Sequence, residues 1–123
     1  MNTALWIAQI ALAFAFMTAG LLKLRQPKEK LAMTMGWVDD FSAGFVKFAG
    51  VVEVLGALGL ILPAVFDVAP VLVPIAAAGL ALEQVGAAVV HLRRKEPRFV
   101  VANAILFALA VFVAWGRFGD YSL

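Results

Sequence analysis

Six polar side chains stand out as candidates inside largely apolar runs: Lys23, Glu53, Glu83, Gln84, His91 and Asn103. The two glutamates carry the most information. A charge at the centre of a hydrocarbon layer costs at least about 2.5–3.5 kcal/mol, so a carboxyl kept there needs a partner or a task. Two desolvated carboxyls at one level do not readily both ionise. Either they share a proton, or Lys23 or His91 neutralises them. A carboxyl–imidazole–amine group can relay a proton, or hold a polar head group such as a quinone carbonyl. The competing reading is structural, with each polar contact gluing helices at about 0.6–2 kcal/mol. Hydroxyl side chains would glue at lower desolvation cost, which favours a functional role for Glu53 and Glu83. Lys23, Glu53, Glu83 and His91 are therefore the ligand-binding or proton-relay candidates, with Gln84 and Asn103 as supporting polar groups. The chain has no cysteine and one histidine. It supplies no thiolate nucleophile and no metal cage, so no catalytic residue and no metal site is assigned, and an independent enzyme is disfavoured.

These residues must be positioned by a membrane domain. The chain has 123 residues, 64% of them hydrophobic and 15% charged, with mean hydropathy +0.98. A soluble domain runs at roughly 45–50% apolar and about 25% charged. A globule of this size cannot bury so much apolar surface. Four apolar runs span residues 4–24, 45–63, 68–92 and 99–116. As helices, each covers about 27 Å or more, enough to cross a hydrocarbon core of about 30 Å once tilt and end error are allowed. The runs do not alternate as barrel strands do, so an all-α membrane four-helix bundle is expected, forming a single domain.

Charge predicts the orientation. Nine of the ten basic residues lie in the loops at 25–44 and 93–98 or on the helix ends beside them. The positive-inside rule makes those loops cytoplasmic and puts both termini outside. Positive charge follows the first apolar run instead of preceding it, so this run reads as an uncleaved helix and not as a signal peptide. The basic balance is thereby explained by topology, and nucleic acid is rejected as a partner. Trp6, Trp37 and Trp115 read as interface anchors. Pro63 is expected to close the second helix, Pro70 to sit in the first turn of the third, and Pro74 to kink that helix. Met35-Gly36-Trp37-Val38-Asp39-Asp40-Phe41 reads as a short interfacial piece, whose carboxylates cap the next helix or face water. Gln9 and Thr18 are expected to be satisfied locally or by neighbours.

Depth and face converge on a pocket. Glu53 lies eight residues past Phe45, about 12 Å deep, and Glu83 lies nine residues before Leu92, about 13 Å deep. Asn103 lies about 6 Å deep, and Lys23 and His91 sit near the cytoplasmic edge. Ala49, Glu53, Gly56 and Leu60 share one helical face; Ala76, Gly79, Glu83, Gly86 and Val90 share another. Small residues mark close helix contacts in lipid, so both faces are expected to turn inward. The result is a polar pocket in the cytoplasmic half, closed toward the outside.

Ala19-Gly20-Leu21-Leu22-Lys23-Leu24, Met35-Gly36-Trp37-Val38 and the run from Gly50 through Glu53 to Pro63 resemble the DoxX-like family. Ala78-Gly79-Leu80-Ala81-Leu82 and Val89-Val90-His91-Leu92-Arg93 are similar too. The resemblance covers nearly the whole chain. It implies a small four-helix protein of the bacterial inner (plasma) membrane, linked to quinone-dependent redox systems, with Lys23, Glu53 and His91 at matching motif positions. Glu83 is not carried over from the family, and the lack of cysteine and of paired histidines removes the usual protein-borne redox centres.

Three functions follow. The first is a membrane subunit or accessory of a redox system, with a non-covalent quinone near the pocket and a membrane or cytoplasmic redox partner. The second is a small-solute or proton-coupled transporter, which four helices could form as a homo-oligomer. The third is a structural assembly factor that docks another membrane protein.

Overall fold

The computed structural model describes residues 1–33 and 35–123; residue 34, inside the expected 25–44 loop, lies outside the described residues. The chain is all-helical, with no strand among the described residues. Four long helices are α1 (Asn2–Arg25), α3 (Ala43–Val65), α4 (Leu72–Arg93) and α5 (Pro97–Phe118). A one-turn helix, α2 (Lys28–Leu31), and a 3-10 turn at Gly36–Asp40 fill the first connection. All four long helices are long and apolar enough to cross a membrane.

The bundle consists of two hairpins. α1 packs along α3 and α4 packs along α5, while α3–α4 and α1–α5 contacts close the ring. Antiparallel neighbours joined by short connections are the default for such helices. Their shared core, around Leu12, Phe16, Leu60, Val73, Leu80 and Val113, occupies the half nearer the α3–α4 connection. The basic connections lie at the other end, called the basic end below. A smaller cluster of Leu31, Val38 and Val46 pins the first connection to the foot of α3 there.

Glycine sets the closest approach. A Cβ at Gly20 would come within 2.8 Å of the Gly50 carbonyl oxygen and 3.1 Å of the Val54 nitrogen. α1 and α3 therefore touch backbone to backbone, as small residues permit in membranes. α3 and α4 meet at Gly56 against Leu80 and at Gly59 against Ala76, all toward their mutual connection. Farther down α4, a Cβ at Gly79 or Gly86 would meet nothing within 4 Å.

The expected inward faces are corrected on that basis. The buried stripe of α3 runs through Val46, Gly50, Glu53, Ala57 and Leu60; it keeps Glu53 and Leu60 of the expected face and has Gly50 and Ala57 in place of Ala49 and Gly56. On α4 the stripe is Val73, Ala77, Leu80, Gln84 and His91, with Gly79 and Gly86 exposed. Those glycines open space instead of closing it.

Three prolines also differ from expectation. α3 continues past Pro63 to Val65. Pro70 lies in the turn before α4, and Pro74 occupies that helix's third position. The first four N–H groups of a helix have no intrahelical acceptor, so Pro74 removes no helical bond and forces no kink. The carboxylates of the first connection do not cap α3 either. Ser42 does, its hydroxyl oxygen accepting from the Phe45 N–H at 3.1 Å.

Candidate functional site

α1 ends at Arg25 with carbonyls that no further turn can satisfy. Lys47, one turn into α3, donates its ammonium hydrogens to three of them: Lys23 O at 3.0 Å, Leu24 O at 2.8 Å and Gln26 O at 3.1 Å. A cation at a helix C-terminus also opposes the negative end of the helix dipole. This clamp, with the Gly20–Gly50 approach above it, fixes the height of α1 against α3. Lys23 thereby comes level with Glu53, and its Nζ donates to Glu53 Oε1 at 2.6 Å. Both residues are nearly sealed, at 6% and 4% exposure. A desolvated ion pair holds only where geometry is good, because each ion gives up its hydration.

Glu83 reaches the same cavity from α4, its carboxyl beside that of Glu53. Its Oε2 is buried with no protein partner. Gln84 turns toward α5, where Asn103 Nδ2 donates to its Oε1 at 2.8 Å. Asn103 Oδ1 is also buried without a partner.

The other polar groups of the site come from the end of α4. Lys95 adopts positive φ (59°). The Glu96 N–H then reaches back to the His91 carbonyl at 2.9 Å, and that of Lys95 to Leu92 at 3.1 Å. This paired closure, usually made by glycine, satisfies carbonyls the helix leaves open. It folds the Glu96 side chain onto its own helix, so that Oε1 meets His91 Nδ1 at 3.0 Å. The His91 ring stacks on Phe99 at 4.9 Å. Arg94 joins Glu96 (Nε to Oε1, 3.2 Å) to Asp40 (Nη1 to Oδ2, 2.7 Å). The hydrogen bond from His91, helped by the charge of Arg94, holds the Glu96 carboxyl below its ordinary value. The bond to Asp40 raises Arg94 further above its already high value.

These groups surround a cavity of about 570 Å³ at the basic end, in a size class that takes small molecules. All six residues singled out in the sequence, namely Lys23, Glu53, Glu83, Gln84, His91 and Asn103, line it. Three of them make one cluster: Lys23 bonds Glu53, and Glu83 stands beside Glu53. His91 shares the cavity, but its Nδ1 is engaged by Glu96 and not by the buried carboxyls. The rest of the wall is mainly apolar, including Phe16, Trp37, Phe41, Phe45 and Phe99.

Sequence reasoning missed several members. Trp37 is a wall of the cavity as well as an interfacial residue, and Lys23 Nζ lies 5.7 Å from its ring centre. Glu96 was hidden behind a helix end; its signal is a carboxylate five residues after a histidine across a helix stop. Asp40 neither caps a helix nor merely faces water, because Arg94 binds it.

Far from the cavity lies a second polar group. In the half away from the basic end Arg117 is only 3% exposed. It donates to Gln9 Oε1 at 2.7 Å, Asn2 Oδ1 at 2.6 Å and Tyr121 O at 2.9 Å, beneath the Trp6 ring. Gln9 in turn donates to Leu60 O at 2.8 Å, and Thr18 bonds locally to Phe14 O.

Among the described residues no cluster of histidine or acidic groups could hold a metal ion. No curated protein and no solved structure matches this chain. The DoxX-like family profile matches residues 7–113, across all four long helices, and the chain belongs to that family.

Proposed function

We propose that this DoxX-like membrane protein is a subunit or accessory of a quinone-linked redox system, and that its cavity takes the head group of a lipid-soluble quinone. The observation that carries the reading is a largely apolar cavity, roomy enough for a substituted quinone ring, with a buried Lys23–Glu53 pair in its wall. The fit rests on the donor set. The Lys23 ammonium has three N–H bonds and spends one on Glu53, leaving donors for a carbonyl oxygen. Trp37, Phe41 and Phe99 offer faces and edges for the ring, and the apolar rim suits a prenyl tail. A bound quinone would supply two-electron, two-proton redox chemistry that these side chains lack. The chain's own part is to desolvate the head group, orient it on Lys23, and hold a proton. With one ammonium facing two carboxyls, a proton can be held between Glu53 and Glu83.

In this reading the protein sits in the bacterial inner membrane with the basic loops cytoplasmic, where Glu96 and Arg94 face a soluble or membrane-bound redox partner. The test is extraction of the protein in native-membrane discs, followed by solvent extraction and mass spectrometry. Near-stoichiometric quinone is expected from the unaltered protein, and its loss from Glu53→Gln and His91→Ala. Equal lipid-level traces in all three would end the proposal. The placing of Glu83 beside Glu53 also favours a second reading, a proton-coupled carrier. Solute-dependent acidification of a dye inside proteoliposomes would support it, and flat traces would remove it.

A further inference from the structure

Among the described residues, the buried side-chain atoms of the cavity left without a protein partner are acceptors, Glu83 Oε2 and Asn103 Oδ1. Two of the nitrogens around them already hold a partner. Asn103 Nδ2 donates to Gln84, and Lys23 Nζ to Glu53. His91 Nδ1 is held at 3.0 Å by the Glu96 carboxylate. A buried acceptor left unmade costs most of its desolvation penalty, and a second acceptor placed against it adds repulsion. The cavity therefore rewards contents that donate.

We propose that the cavity selects the reduced, hydroxyl-bearing form of its aromatic ligand, a hydroquinone, over the quinone, with Glu83 Oε2 and Asn103 Oδ1 receiving the hydroxyl hydrogens. This rests on the quinone reading above and specifies which redox form is held. A hydroxyl suits Lys23 as well, since its lone pairs accept the spare ammonium hydrogens while its own hydrogen goes to an orphaned oxygen. A carbonyl can satisfy only the ammonium. An organic ammonium would also donate, but Lys23 already places a positive charge in the wall.

The experiment is anaerobic calorimetry on the full chain in lipid nanodiscs with four probes of one shape. They are tetramethylhydroquinone, tetramethylbenzoquinone, the dimethyl ether of the hydroquinone, and the redox-inert tetramethylphenol. Gly86→Leu, which fills the cavity where a Cβ meets nothing within 4 Å, corrects for partition into lipid. Hydroquinone is expected to bind at least about tenfold tighter than benzoquinone or the ether, with phenol in between, as one hydrogen bond to a charged or buried acceptor implies. In the double variant Gln84→Leu/Asn103→Leu, which removes one orphaned acceptor together with its neighbour, that preference should shrink by about tenfold while benzoquinone affinity holds. Equal binding of hydroquinone and benzoquinone, or tighter benzoquinone, would overturn the inference and leave the quinone reading standing. Tight phenol and hydroquinone binding, with no quinone in native-membrane extracts, would keep the hydroxyl selectivity and remove the redox reading. Failure of every probe would overturn both.

Discussion

At the scale of single residues, the Lys23–Glu53 pair is the least replaceable contact. Removing one partner of a buried ion pair strands the other charge at a cost of about 3–5 kcal/mol, whereas replacing both with apolar groups of similar volume is often neutral. Lys23→Met should therefore lower the thermal midpoint sharply, and Lys23→Met/Glu53→Met should recover most of the loss in a melting assay in detergent. A double variant no more stable than the single would show that the pair is not the coupled unit described. The latch at the mouth of the cavity behaves differently, because it is exposed and titrates. Glu96 has a folded-state value below the ordinary 4.5. Its contribution is complete above about pH 4.5 and is lost as pH falls through that lower folded value. Acidification in that range, and Asp40→Asn at neutral pH, should both loosen the Gly36–Asp40 turn and shift Trp37 fluorescence. Lys23 and Glu53 were legible as polar residues in apolar runs. Glu96 and Asp40 were not, because a charged residue in a loop resembles any solvated one until the chain reversal at Lys95 and the reach of Arg94 are known.

At the scale of helices, glycine has two opposite meanings. At Gly20 the space a methyl needs is taken by backbone atoms of α3. Backbone cannot swing aside as a side chain can, so Gly20→Ala should cost about 1–3 kcal/mol by overpacking. At Gly79 nothing lies within 4 Å, and alanine brings only its better helix propensity, a gain of about 0.5–1 kcal/mol. Unfolding of the two variants in mixed micelles should show shifts of opposite sign. The sequence pattern does not separate these positions, since both are small residues on apolar helices. Helix existence was plain from hydropathy, while the inward face of α4 was misplaced. In a membrane both sides of a helix are apolar, so the amphipathic signal that marks the core side of a soluble helix is weak here.

At the scale of the whole molecule, the bundle is asymmetric from end to end. One half is filled by the Leu12–Leu80 core, and the other is hollow and lined by ionisable groups. The basic connections frame the hollow end, so the proposed topology, with those loops inside, predicts a cavity that opens to the cytoplasm. The absence of cysteine makes this simple to check. Single cysteines at Asp67 and Lys95 should react with a membrane-impermeant maleimide from opposite sides of spheroplasts, Asp67→Cys directly and Lys95→Cys only after permeabilisation. The reverse pattern would place the cavity mouth outside.

The guanidinium of Arg117 bonds to residues 108 and 115 positions earlier in the chain. A clasp between such distant stretches cannot form while the ribosome still holds the last helix. Until then the seam between first and last spans stands ajar, and Gln9 offers an oxygen that nothing yet claims. Closure of the ring at this seam thus waits on the arrival of one cation from α5.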